Sequence, residues 1–127
     1  MVQRIATRNR KLHQALGKFH NRKTELDGIV FASALEARVY QRLKLRQYAH
    51  DIGELRLQMS FLLLDGFTDS EGTKHRPIRY VADFYYVDGT GQETVCDAKG
   101  KVTREFAIKR KLFLSRYPEI RFEVVTE

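Results

Sequence analysis

Three acids and one lysine are the residues of this chain whose types and spacing suit hydrolytic chemistry. Asp83, Asp97 and Lys99 lie within residues 80–101, YVADFYYVDGTGQETVCDAKGK, and Glu36 stands earlier, in ASALEARVY. Strand side chains repeat with period two, so Asp97 and Lys99 share one face while Cys96 and Ala98 take the other. Carboxylates brought close together raise one another's pKa unless a cation intervenes. Mg2+, with Mn2+ as a substitute, relieves that cost because both prefer oxygen ligands. A lysine beside such a site orients or deprotonates an attacking water and offsets charge building on a phosphate. Asp-x-Lys alone says little, since an exposed pair of this kind contributes only ~0–1 kcal/mol. Asp83 says more: an acid among Val81, Phe84, Tyr85 and Tyr86 needs a reason to occupy an otherwise apolar strand.

The elements that must position these groups follow from local patterning. Asp88-Gly89-Thr90-Gly91 separates two alternating segments and predicts a hairpin, because Asp and Gly tolerate the positive φ of such turns. Ser33 followed three residues later by Glu36 fits a capping box, so a helix is expected from Phe31 or Ser33 to near Gly53. Leu35, Val39, Leu43 and Tyr48 supply its core side, with Glu36 at the margin. Residues 23–28 read as a loop. Leu55, Leu57, Met59 and Phe61 alternate with Arg56, Gln58 and Ser60, predicting a half-buried strand. Gln58 falls on the face away from the leucines, as a surface amide or a supporting group for the site. Residues 65–77 read as a polar connection. A second helix is expected over 103–117, capped by Thr103, stopped by Pro118, and packed through Phe106, Leu112 and Phe113 with Ile108 alongside. Residues 120–125 close the chain as a strand. The order helix-strand-strand-strand-helix-strand predicts an α/β fold with a mixed sheet of four or more strands flanked by helices.

Composition narrows the partners. The chain has 127 residues, the size of one domain, and its net charge of +7 with a pI of about 9.7 suits a polyanion. Residues 1–23 hold no acid and include Arg8, Arg10, Arg22 and Lys23, which reads as a basic arm with a short helix near 6–18, part of the same domain as 24–127. Cys96 is the only cysteine, so neither an intrachain disulfide nor a cysteine-rich zinc site can form. The four histidines lack zinc spacing, and there is no P-loop or dinucleotide fingerprint. The start shows no apolar signal region and the run at residues 61–64 is too short to span a bilayer, so a cytoplasmic protein without a membrane partner is expected.

Taken as ordered blocks, KTELDGIVFASALEARVY, the strand with Gln58, YVADFYY, CDAKG and YPEIRFEV, the chain from Lys23 onward resembles the restriction-endonuclease-like superfamily with the PD-(D/E)xK signature. Within it the chain is similar to small phage-borne Holliday junction resolvases and endonuclease I-like nucleases. Asp83 matches the first acid, Asp97 and Lys99 the (D/E)xK pair, and Glu36 the preceding helical acid; Ala82 stands where the signature has proline. The resemblance implies a restriction-endonuclease-like core and Mg2+-dependent hydrolysis of DNA phosphodiesters, leaving a 5′-phosphate and a 3′-hydroxyl. It implies Asp83, Asp97 and Glu36 as metal ligands and Lys99 as the group that activates water or counters charge. It further implies a homodimer that makes paired cuts in branched DNA such as four-way junctions, in the cytoplasm of a bacterial host. Arg104, Lys109, Arg110 and Lys111 would contact phosphates, with Lys101 and the arm residues Arg8, Arg10, Arg22 and Lys23 extending that surface. Two alternatives stay open: a nuclease acting on other branched or duplex DNA, and a nonenzymatic DNA-binding protein that keeps the fold.

Overall fold

The computed structural model describes residues 23–126; the basic arm with Arg8, Arg10 and Arg22, and its expected short helix, lie outside them. The described chain is α/β. A four-stranded mixed sheet in the order β3-β6-β7-β8 carries a helix against each face. β3 (Ile52–Leu64), β6 (Ile78–Asp88) and β7 (Glu93–Ala98) run antiparallel in turn, and β8 (Arg121–Val125) joins β7 in parallel. The expected order of helices and main strands is observed.

Two small ribbons are additions to that expectation. Residues 23–28 are not a loop: β1 (Thr24–Leu26) and β2 (Ile29–Phe31) form a hairpin around Asp27 and Gly28, whose φ values are 55° and 76°. Two successive positive φ values are what a tight two-residue hairpin requires, and Asp-Gly meets that need. Residues 65–77 likewise hold β4 (Phe67–Thr68) and β5 (Lys74–His75), closed by Asp69, whose carboxylate accepts from the Glu71 and Thr73 amides. Strands this short leave almost no alternation to read.

Helix α1 (Ala34–Tyr48) starts as expected, with Ser33 Oγ accepting the Glu36 amide at 3.0 Å. It stops at Tyr48 because His50 takes a left-handed φ of 64° and the His50 and Asp51 amides turn back to the Gln47 and Arg46 carbonyls. Leu35, Val39 and Leu43 are buried, but Tyr48 is 86% exposed and does not join the core. At about 100° per residue, five residues beyond Leu43 place it roughly 140° around the helix from that stripe. Helix α2 (Arg104–Arg116) is capped by Thr103, whose hydroxyl accepts the Phe106 amide. Phe106 and Phe113 are buried and Leu112 is half-buried, whereas Ile108 faces solvent rather than the core.

The sheet changes which side chains it presents partway along β3 and β6. Leu55 and Leu57 pack with α1, yet Met59, Phe61 and Leu63, on the same sequence parity, pack with α2. In β6 the even positions Tyr80 and Ala82 pack with α2, while Phe84 and Tyr86 pack with α1. The changes fall at Gln58, whose φ of 55° breaks the strand's period, and at Asp83, which the register sets across from it between the Leu57–Phe84 and Met59–Ala82 partners. This irregular rung is where the acids gather. Among the described residues, no helix is long and apolar enough to cross a membrane.

Candidate active site

The β6–β7 ladder runs from Val87↔Glu93 to Phe84↔Cys96 and then stops. The next rung is made by side chains. The Asp83 amide donates to Asp97 Oδ1 at 3.2 Å, and the Ala98 amide donates to Asp83 Oδ2 at 2.9 Å. Each carboxylate therefore satisfies a backbone donor of the facing strand and holds the strands apart where the ladder ends. An acid in an apolar strand has its reason here.

Asp97 is buried, at 1% exposure, and its Oδ2 lies 3.0 Å from Lys99 Nζ. Apart from that ion pair, Oδ2 accepts no hydrogen bond among the described residues. Lys99 is fixed from two further directions: its amide donates to the Val125 carbonyl, and its ammonium sits 4.6 Å from the centre of the Phe106 ring. Glu36, in the first turn of α1, is buried and faces the same group electrostatically. Burial raises its pKa first and the Asp97 charge adds to that, while Lys99, the Ala32 backbone and Lys23 oppose the rise. Burial likewise pushes Asp83 up to about 7, reinforced by Asp97 and Glu36 and opposed by the Ala98 amide and Lys99. Sequence-distant Glu36, Asp83, Asp97 and Lys99 thus form one electrostatic group.

Among the described residues, no three His, Cys, Asp or Glu side chains are gathered closely enough to form a ready metal cage. The donor chemistry nonetheless fits a hard divalent cation. Three carboxylates, Glu36, Asp83 and Asp97, share the ammonium of Lys99, and among the described residues that ammonium is the one charged partner of the buried Asp97 Oδ2. An acid held near neutrality by burial and like charge reports a shortage of positive charge.

Tyr80 was not singled out by its sequence context. Its hydroxyl is buried beside Asp97 with no well-formed hydrogen bond among the described residues, and burial, then the Asp97 charge and the side-chain interaction with Asp97, raise its pKa. No signal in YVADF marks it, because Tyr80 reads as one more aromatic core residue, and its ring packs against Phe106, Phe113 and Phe122. Gln58 is exposed and lies across from Asp83 in register. Cys96 is buried with its thiol pushed up to about 12, by burial and then by Glu123, so it is inert packing. Of the basic residues, Lys101, Arg104, Arg110 and Lys111 are exposed, Lys109 is half-buried, and Arg110 lies over the Phe122 ring at 5.3 Å.

Residues 16–127 match the model of a family described as a protein of unknown function, DUF1064. No curated protein and no solved structure matches the chain. The chain belongs to the DUF1064 family.

Proposed function

We propose that this member of the DUF1064 family is a metal-dependent endodeoxyribonuclease with a restriction-endonuclease-like core, acting on branched DNA and most of all on four-way junctions. The observation that carries the reading is the convergence of Glu36, Asp83, Asp97 and Lys99 where the β6–β7 ladder gives way. The resemblance of the sequence blocks to the PD-(D/E)xK nucleases supports the same reading, as does the net charge of +7.

Asp83 and Asp97 would hold Mg2+, with Glu36 as a further or water-mediated ligand, and the bound ion supplies Lewis-acid stabilisation of charge on the phosphate. The chain's own groups do the rest. Lys99, anchored by Asp97 and the Phe106 ring, orients the attacking water and offsets negative charge as the new P–O bond forms. The bond to the 3′ oxygen breaks, the attacking water gives up a proton to solvent, and the 3′ oxygen takes one from solvent and leaves as the hydroxyl while the phosphate stays on the 5′ end. Asp83 is held in place by its hydrogen bond from the Ala98 amide. A homodimer would present two such sites, one for each of two opposing strands.

The test is cleavage of labelled four-way junctions, Y-forks, duplexes and single strands with Mg2+, Mn2+ or EDTA. Paired, symmetric cuts confined to junctions are expected, abolished by EDTA. Equal cutting of plain duplex would leave a nuclease of another substrate, and DNA binding without cleavage under either metal would leave the nonenzymatic alternative. Light scattering should give the mass of two chains when a junction is bound.

A further inference from the structure

Because β7 leaves β6 at the Asp83–Asp97 rung, residues 78–82 of β6 have β3 on one side and, among the described residues, no strand on the other. The space that opens there is a cleft of 360 Å³ between β6 and the first turns of α2, lined by Arg79, Tyr80, Lys99, Thr103, Phe106 and Lys109 among others. Lys99 is common to this cleft and to the acidic group, so the two are one continuous surface.

The cleft has the opposite charge character to the acids beside it. Arg79 is exposed and makes no ion pair among the described residues. Lys109 reaches Glu105, the one acid among the described residues of the cleft wall, only at 3.7 Å, and that carboxylate is 81% exposed. Such a pair costs little to open. Thr103 caps the amino end of α2, which adds the positive pole of a 13-residue helix. A free guanidinium, a loosely held ammonium and a helix amino end around one open volume are the groups that recognise a phosphate.

We propose that this cleft is a phosphate subsite, in which Arg79 and Lys109 seat the backbone phosphate next to the scissile one in a DNA strand. The inference rests on the nuclease reading and adds direction to it. The strand enters along the unpaired edge of β6 and passes Lys99 to reach the acids. Arg79 binds substrate and takes no part in bond making. Its loss therefore weakens binding of every DNA sequence alike and lowers the salt dependence of that binding.

The test measures binding of fluorescein-labelled four-way junctions and duplexes in Ca2+ over a KCl series, then cleavage in Mg2+. The variants are Arg79→Ala, Lys109→Ala, the double variant and Arg79→Lys, with Lys44→Ala on the exposed face of α1 as a charge-matched control and thermal melting as a check on folding. Each alanine variant should bind about tenfold more weakly. Each should also lose about one from the slope of log Kd against log salt, and the double variant about two. KM should rise with kcat nearly unchanged, and Arg79→Lys should recover the slope. Wild-type cleavage with Arg79→Ala and Lys109→Ala indistinguishable from Lys44→Ala in affinity and slope overturns the subsite alone. Wild-type protein that neither binds nor cuts DNA overturns the nuclease reading and the subsite with it.

Discussion

Asp83 and Asp97 are bound to each other's strands: the Asp83 amide donates to Asp97 Oδ1, and Asp83 Oδ2 accepts from the Ala98 amide beside Asp97. The two acids are therefore structural wedges as well as candidate ligands. One oxygen of each holds the fork of the sheet, while the other oxygen of Asp97 pairs with Lys99 and would be shared with a bound cation. That double duty makes asparagine, which keeps an amide oxygen as an acceptor, a better probe than alanine.

Asp83→Asn and Asp97→Asn should each lower Mg2+-dependent junction cleavage by about 100-fold or more, since each removes an anionic ligand from the electrophilic centre. Calorimetry should show weakened metal binding with the fold retained. Unchanged metal affinity in both variants would remove them from the ligand set.

Lys99→Ala should abolish turnover while junction binding stays largely intact, because its ammonium is already paired with Asp97 and, unlike Arg79, is not free for a phosphate. Single-turnover kinetics and binding in Ca2+ separate the two effects. Lost binding with residual normal turnover would contradict the assignment.

The metal-free protein should depend on pH through Asp83. Its folded pKa of about 7 lies above the ordinary value of 3.8, so the folded state binds the proton more tightly than the unfolded one. Its stabilising contribution is complete below about pH 3.8 and is lost as pH rises through 7. Melting temperature in EDTA should therefore drift down across that window, Asp83→Asn should flatten the drift, and added Mg2+ should raise stability more above pH 7 than below it. A wild-type profile identical to that of Asp83→Asn would contradict the shift.

Phe113→Ala should destabilise the domain by about 3–5 kcal/mol in urea denaturation, as for other large buried aromatics. Phe113 is fully buried and its ring meets Phe61, Tyr80, Tyr117 and Phe122. It braces α2 against the sheet and, through Tyr80, the floor beneath Asp97. A loss below about 1 kcal/mol would mean that this aromatic cluster does not hold the helix in place.

Much of the frame is legible locally. Ser33 and Thr103 mark both helix starts, since a cap hydroxyl and the amide it accepts lie three residues apart. Asp88 marks the hairpin, because its Oδ1 accepts from Thr90 and Gln92 within the same turn. Tyr48 and Ile108 are exposed despite their apolar character, because a side chain on a helix is buried only if a neighbour covers its side of the cylinder. The hairpin at Asp27-Gly28 had its turn signal, but three-residue strands gave no period to support it.

The sequence by itself determined the α/β order, the caps, the hairpin and the four residue types available for chemistry, because each depends on contacts within a few residues. Only the tertiary structure decided that Asp83 and Asp97 replace a ladder rung, that Tyr80 lies buried beneath them, and that Arg79 and Lys109 share a cleft with Lys99. Those relationships join residues from separate elements, with Asp83 and Asp97 lying 14 positions apart, and they arise where Gln58 and Asp83 interrupt the period-two pattern. Strand periodicity carries no information past such a break; the packing of α1 and α2 on opposite faces sets which side chains meet beyond it.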